Sequence, residues 1–425
     1  MRASRTIAAL KHRDFALFWV GALISNIGTW MQNVTVPYVV FQLTRSAGWV
    51  GLAAFAGLAP ALLFAPLAGS LADRFNRRVL LAWSQVVQGL LALALWGAWV
   101  EHLRSPGLLI GIIAVNGAAF GCTMPSWQAF LTELVPRDDL LNAITLNSAQ
   151  FNAARAFGPA IGGLVLGRFG PSWAFLLNAL SFLAVLAALA AIRVPPLERV
   201  KTTERVLAQF KEGLDYARRH TGIRLALIMC AAISFLGTPV FQLAPVLARR
   251  VYHVGPGLYG LLITAFGSGA VVGAGVLGLL GHRVSTSRVV IGGAATYATG
   301  LILVGATSTY GVGVAGMAVC GLAFLVVMAT LNTTVQLQVA ETIRGRVLAL
   351  WMVAITGAYP LGALLQGGLA DRIGARATVT AAGVVLAGAA GFLVARPQLA
   401  TALDRHGHRR DKLISPVPDL EAITT

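Results

Sequence analysis

Arg155 is the only charged residue in the apolar segment 141–167 and sits near its middle. A charge at the centre of hydrocarbon costs about 2.5–3.5 kcal/mol on insertion scales, so it must face a cavity or a partner. Two roles fit it: contact with a polar cargo, or a structural tie to backbone carbonyls or to Asn116, Asn147 or Asn152. Its mid-depth position favours cargo. Other polar groups interrupt apolar runs in the same way: Asn26, Trp30 and Asn33, then Asn116, Gln242, Asn332 and Gln336. Asn26 and Asn33 are seven residues apart, so on a helix they share a face with Trp30. A cavity lined by aromatic and neutral amide groups suits amphiphilic cargo. Hydrogen bonds between helices are the structural alternative for each of these residues.

Catalytic chemistry finds little support. None of the four lysines, Lys11, Lys201, Lys211 and Lys412, lies in a GxxxxGK[ST] loop, which argues against an ATP-driven pump. There is no HExxH. Ser268 stands between Gly267 and Gly269, but no intramembrane histidine is placed to activate it. Cys122, Cys230 and Cys320 each lie in an apolar stretch without CxxC spacing and read as small packing residues. The chain is therefore expected to be no enzyme and to hold no cofactor or metal.

These residues need elements to position them, and composition says which. Of 425 residues, 57% are hydrophobic and only 12% charged, whereas soluble domains run near a quarter charged. The 47 glycines suit membrane helices that pack backbone to backbone. Twelve segments are long and apolar enough to span a bilayer, near 15–42, 48–72, 79–100, 107–132, 141–167, 172–194, 223–248, 257–281, 288–307, 310–338, 346–369 and 375–395. The first is too long for a cleaved signal. The expected fold is an all-α polytopic membrane protein of twelve transmembrane helices in two six-helix bundles.

The loops are short except for the polar, basic stretch 195–222. This divides the chain into an N-terminal bundle (1–194), a cytoplasmic linker (195–222) and a C-terminal bundle (223–396). A polar tail (397–425) containing Pro416 and Pro418 is expected to be disordered. Within the linker, Val206, Leu207, Phe210, Leu214 and Ala217 recur at helical spacing, which predicts an amphipathic helix at the membrane surface.

Lys and Arg crowd the segments on the side of the two termini and are sparse on the other. That asymmetry places both termini and the linker in the cytoplasm. It also accounts for the net charge of +17 without nucleic acid, because the basic residues form no single face with interleaved aromatics. The halves look related. Gly69 to Arg74 after the second span matches Gly278 to Arg283 after the eighth, 209 residues on. Gly162-Gly163 matches Gly367-Gly368, 205 residues on. Repeated six-span halves are a known transporter plan.

The first cytoplasmic hairpin carries Gly69-Ser-Leu-Ala-Asp-Arg-Phe-Asn-Arg-Arg78. Asp73 is a lone acid among Arg74, Arg77 and Arg78. It can pair with arginine or face a helix N-terminus, in one conformational state and not in the other. A plain positive-inside loop explains the arginines but not the Gly and Asp spacing. The run resembles motif A of the major facilitator superfamily, departing at Asn76 where glycine is usual. The resemblance covers nearly the whole chain. It implies two bundles working by alternating access, with Gly69, Asp73, Arg74, Arg77 and Arg78 controlling the exchange.

In the fifth span, Ala154-Arg-Ala-Phe-Gly-Pro-Ala-Ile-Gly-Gly163 resembles the superfamily's motif C, associated with antiporters. Gly158, Pro159, Gly162 and Gly163 match it, and Ala154 stands where glycine is usual. The implied direction is export. Asp14, Glu101, Glu133, Glu341 and Asp371 lie at span ends or in loops, and all seven histidines in loops or tails. The fourth span lacks the arginine of the family's motif B. Glu133 is the remaining candidate for proton coupling, with ion pairing to Arg137 as the alternative.

The stretches Leu10–Trp19 and Phe210–Arg219 resemble the branch of enterobactin-exporter-type and bacterial drug-efflux proteins. Together the resemblances imply a secondary active exporter of small drug-like or siderophore-like amphiphiles in a bacterial cytoplasmic membrane, run as a proton antiporter. An importer of the same superfamily, or a non-transporting receptor or scaffold, is the alternative. The expected partners are a small-molecule cargo, the lipid bilayer and protons.

Overall fold

The structure, a computed structural model, describes residues 8–74, 76–193, 206–280 and 284–404, with the backbone alone at 65–74, 125, 206–209 and 280. Among the described residues every regular element is helical. Twelve long helices run in chain order: α1 Arg13–Thr44, α2 Ala47–Arg74, α3 Arg77–Val100, α4 Pro106–Leu131, α5 Leu140–Phe169, α6 Pro171–Ala191, α7 Thr221–Arg250, α8 Pro256–Leu280, α9 Thr286–Ala306, α10 Tyr310–Gln338, α11 Arg344–Ile373 and α12 Ala375–Ala395. Ten stretches of helix are long and apolar enough to cross a membrane. The other two long helices, α1 and α5, fall short because they carry Asn26, Gln32 and Asn33, and Asn142, Asn147, Gln150, Asn152 and Arg155. Both are central to the packing of the N-terminal half, where Gln32 and Gln150 are buried. Outward, large apolar side chains stand free, among them Leu279, 80% exposed, and Val394, 64% exposed. A soluble protein would bury such residues; here they face lipid.

The halves repeat one packing scheme. In the first, α2 lies along α4, and α3 along α4 and α6. In the second, α8 lies along α10, and α9 along α10 and α12. The two long contacts between halves are also equivalent, α2 with α11 and α5 with α8. Gly170, at φ 82°, makes the sharp joint between α5 and α6, and Gly374, at φ 89°, the same joint between α11 and α12. Only glycine adopts that backbone freely.

Helix α7 is interrupted by a π-helical turn at Ile233–Gly237, followed by Pro239. The turn leaves carbonyls without their usual helical donors. Buried Gln366 of α11 takes them up, its Nε2 donating to Phe235 O at 2.8 Å and Leu236 O at 3.0 Å. Satisfying freed backbone with a neighbouring side chain is what allows an irregular turn at membrane depth.

In the connecting segments, the amphipathic helix is present at Val206–Arg219 and packs on protein. Glu212 pairs with Arg346 at 2.5 Å, Gly213 abuts the Arg346 backbone, and Tyr216 Oη accepts from the Ala340 amide at 3.2 Å. The tail does not begin at 397 as an unstructured segment. Pro397–Ala400 and Thr401–Leu403 are helical, with Ala402 and Leu403 buried. Gln338 Nε2 donates to the Ala402 and Leu403 carbonyls, and Asp404 accepts from the Ser287 amide and hydroxyl. Residues 405–425 lie outside the described residues.

Candidate substrate cavity and gates

A cavity of about 250 Å³ opens within the N-terminal half, on the side of the chain termini. Neutral polar groups line it from α1 (Ser25, Asn26, Thr29), α3 (Gln85, Gln88) and α5 (Asn147, Gln150, Asn152), with Phe120, Trp127, Phe151 and Phe182 between them. None of the lining residues is charged. The amides hold one another in place. Asn26 Nδ2 donates to Gln150 Oε1 at 3.3 Å, Trp127 Nε1 to Asn147 Oδ1 at 3.2 Å, and Gln88 Nε2 to Thr123 Oγ1 at 2.8 Å. A guest can exchange into such a network without meeting an unpaired charge.

Arg155 stands beside this cavity, at mid-height of α5. Its guanidinium carbon lies 5.7 Å from the Trp30 ring centre and 5.4 Å from that of Phe324 on α10, so it bridges the two halves. Trp30 in turn meets Phe151 of the cavity wall edge-on at 6.2 Å. The structural alternative for Arg155 is not what the geometry has. Asn147 is occupied by Trp127 and Gln150, and Asn152 donates to Ser148 O. Among the described residues no hydrogen bond or ion pair engages the Arg155 guanidinium; its partners are aromatic faces.

The remaining sequence candidates scatter. Asn26 lines the cavity. Asn33 is exposed, and half-buried Asn116 lies off the cavity. Gln242 is tied within the C-terminal half, donating to Tyr359 Oη at 2.6 Å. Gln336 donates to Asn332 one turn back at 2.5 Å. The cavity groups missed by sequence reading, Gln85, Gln88, Thr123, Gln128 and Gln150, could have been found as polar interruptions of apolar runs, the signal that marked Asn26.

At the end opposite the termini the halves are tied together. Asp371, at the end of α11, accepts from the Ala47 amide at 2.7 Å, the Gly48 amide at 2.8 Å and the Ser46 hydroxyl at 2.5 Å. A carboxylate thus caps the start of α2, where the helix dipole favours it. Arg250 donates to the Arg45 carbonyl and lies over the Phe41 ring. Tyr259 of α8 donates to Val34 O at 2.9 Å and stacks on Tyr38. Sequence reading set Asp371 aside as a span-end acid. The available signal was Gly367-Gly-Leu-Ala-Asp371-Arg372, which repeats Gly69-Ser-Leu-Ala-Asp73-Arg74 at the far end of the other interface helix.

The glycine run of α5 packs first on α1 within its own half and then on α8 across the halves. A Cβ on Gly158 would fall 2.5 Å from Trp30 Cβ, and one on Gly162 3.0 Å from Met31 Cα. One on Gly163 would fall 2.5 Å from Gly260 Cα of α8, across the halves. Pro159 is buried within α5. At the other end, Arg77 pairs with Glu133 at 2.8 Å, so the partner of Glu133 is Arg77 and not Arg137. Arg78 donates to the Ala190 carbonyl. Asn76 caps α3, its side chain accepting from the Arg78 amide at 3.0 Å; the departure from glycine supplies a cap. Gly69, Asp73 and Arg74 are in the last turns of α2, and their side chains lie outside the described residues.

Two six-helix halves tied together at one end, with a polar cavity in the N-terminal half toward the other, define a membrane transporter, and comparison with known proteins identifies the kind. Residues 4–419 match the family model described as transmembrane secretion effector. The chain belongs to this family of the major facilitator superfamily, and is a multi-pass membrane protein. It is 27% identical to the uncharacterized MFS-type transporter YfiS of Bacillus subtilis, over 85% of this chain and 88% of that one. It is 26% identical to the multidrug efflux pump Tap of Mycobacterium tuberculosis, over 86% and 89%. It is also 26% identical to the enterobactin exporter EntS of Citrobacter koseri, over 89% and 90%. Among solved structures, a bacterial homolog of the human lysosomal transporter Spinster, inward-facing and unoccupied, superposes with TM-score 0.73 at 14% identity, over 95% and 98% of the chains. The nucleoside transporter NupG gives 0.74 at 11% identity, over 92% and 98%.

Proposed function

We propose that this protein exports small amphiphilic molecules from the bacterial cytoplasm by alternating access, coupled to proton entry, with both termini inside the cell. One observation carries the reading: an uncharged amide and aromatic cavity lies toward the termini, and the opposite end is sealed by Asp371, Arg250 and Tyr259. The positive-inside asymmetry makes the sealed end external, so the arrangement is one that loads from the cytoplasm or inner leaflet. The relatives named as efflux pumps and exporters support the direction. In the cycle, cargo enters beside Asn26 and Gln150 and reaches Trp30 and Arg155. The halves then rock about it, the Asp371 cap breaks, and the Asp73 hairpin closes the inner side. Glu133, beside Arg77, is the proposed proton carrier.

The test is efflux of a broad dye and drug panel from an efflux-deficient bacterium expressing the chain, with and without a protonophore. Efflux abolished by the protonophore is the expected result. Accumulation that rises on expression would reverse the direction, and no flux of any compound would remove the exporter reading.

A further inference from the structure

The charges available to a guest are lopsided. The cavity offers only neutral amides, hydroxyls and aromatic rings. Beside it, past the Trp30–Phe151 pair, stands the cation of Arg155. This cation is at the middle of its helix, half-buried, with no carboxylate and no hydrogen-bond acceptor among the described residues. Aromatic faces attract a guanidinium but leave its N–H donors unused. Arg155 therefore has spare donors of a kind that fit an oxyanion two at a time.

A second observation points the same way. Phe324, which Arg155 faces, meets Tyr297 with ring centres 6.3 Å apart. Tyr297 packs on Gly237 of the π-helical turn, and Thr238 follows. The Tyr297 and Thr238 hydroxyls are both buried and both lack a hydrogen-bond partner. Unpaired buried hydroxyls are costly, and here they occur close to an unpaired cation. A hydroxyl can donate as well as accept, and among the described residues no carboxylate pairs with Arg155.

We propose that the cargo class of this transporter is the anionic amphiphile: an aromatic or apolar body held by Trp30, Phe151 and the amide wall, with an acidic group held by Arg155. The inference rests on the exporter reading for its direction. It also bears on energetics. Moving an anion out of the cell is favoured by an inside-negative membrane potential, so such cargo leaves without needing an acid at mid-membrane. A permanently cationic cargo would meet Arg155 with like charge and find no counterion in the cavity.

The test uses the purified full-length protein and two probes of one shape, naphthalene-2-sulfonate and neutral naphthalene-2-sulfonamide, with binding read by equilibrium dialysis. The sulfonate is expected to bind about tenfold more tightly than the sulfonamide. Arg155→Gln is expected to lose about that factor for the sulfonate and to leave the sulfonamide within about twofold. Arg155→Lys keeps the charge but not the paired donors and is expected to retain part of the preference, which separates a lost contact from a misfolded variant. Sulfonate binding no tighter than sulfonamide binding, or equal in Arg155→Gln, overturns the proposal. Efflux of the same pair from cells tests the direction separately. A protein that binds the sulfonate through Arg155 yet moves neither probe keeps the anion site and loses the exporter reading.

Discussion

Asp371 Oδ1 accepts a 2.7 Å hydrogen bond from the amide of Ala47, so an acid at the end of one half caps the first turn of a helix in the other. The Gly48 amide and Ser46 hydroxyl complete the cap on Oδ2. The bond exists only while α2 and α11 meet at this end, so the free energy of a helix cap is made conditional on conformation. The hexapeptide that ends in Asp371-Arg372 recurs as the one that ends in Asp73-Arg74, at the opposite end of α2. Of the two acids, Asp371 makes its contact at the external end of the α2–α11 seam.

Asp371→Asn keeps the shape and removes the charge. Losing a charged cap costs about 1 kcal/mol, which is about a fivefold change in the ratio of sealed to open protein at this end. Spin labels at Trp49 and Ile373, both exposed, are expected to report a larger population at long distance in the variant. An unchanged distance distribution would show that Arg250 and Tyr259 hold the seal without it.

Glu133 and Arg77 are joined at 2.8 Å, with the carboxylate the more buried partner. As a proton carrier, Glu133 must leave Arg77 once per cycle. Glu133→Gln is expected to keep exchange of labelled for unlabelled cargo and to lose the response of net efflux to a pH gradient. If Arg77→Gln and Glu133→Gln instead impair exchange equally, and the double variant does no worse, the pair is structural.

Asn178 Nδ2 donates to Gln32 Oε1 at 2.7 Å, buried between α6 and α1. Asn178→Leu leaves the Gln32 amide without this partner inside the bundle. Interhelical hydrogen bonds in membranes are worth about 0.6–2 kcal/mol, so a fall of about 2 °C or more in the apparent melting midpoint is expected. Adding Gln32→Leu should restore part of it, because two apolar groups leave nothing unpaired. A double variant less stable than Asn178→Leu would assign the loss to packing.

The fold was legible because hydropathy, the polar break near 195–222 and the basic loops are local signals. So was Arg155, since a lone charge in an apolar run stands out wherever it points. The polarity of α1 and α5 was visible residue by residue, yet which of those groups share a cavity depends on how α1, α3, α4 and α5 rotate against each other. Hence Asn26 lines it, Asn33 does not, and Gln88 and Gln150 went unremarked. Asp371 was invisible for a different reason. An acid at a helix end is ordinary until a second helix start arrives within 2.8 Å, and its partner is more than 320 residues away. For Glu133, sequence proximity offers only Arg137 as an ion-pair alternative, whereas the fold brings Arg77 in the first turn of α3 beside the end of α4.

The glycine seam gives the most direct handle on the cycle. Gly163 of α5 meets Gly260 of α8, and Gly367 of α11 meets Gly51 of α2, where a Cβ on Gly367 would fall 3.1 Å from Gly51 Cα. Gly51 and Gly260 are 209 positions apart, the offset at which the hairpins after the second and eighth spans repeat, so both seams descend from one arrangement. At these points backbone meets backbone, and no side-chain rotation can make room for an added Cβ. Gly163→Leu should hold the external seam apart while leaving each six-helix half intact. The expected outcome is a folded protein, monodisperse in detergent, with transport lost and a cysteine at Ala363, 2% exposed here, newly open to an impermeant thiol reagent from outside. Gly368→Leu is the control, because nothing lies within 4 Å of a Cβ there; it should transport normally. Loss of transport in both variants would mean that bulk anywhere on these helices is disruptive, and that the seam has no special part in closure.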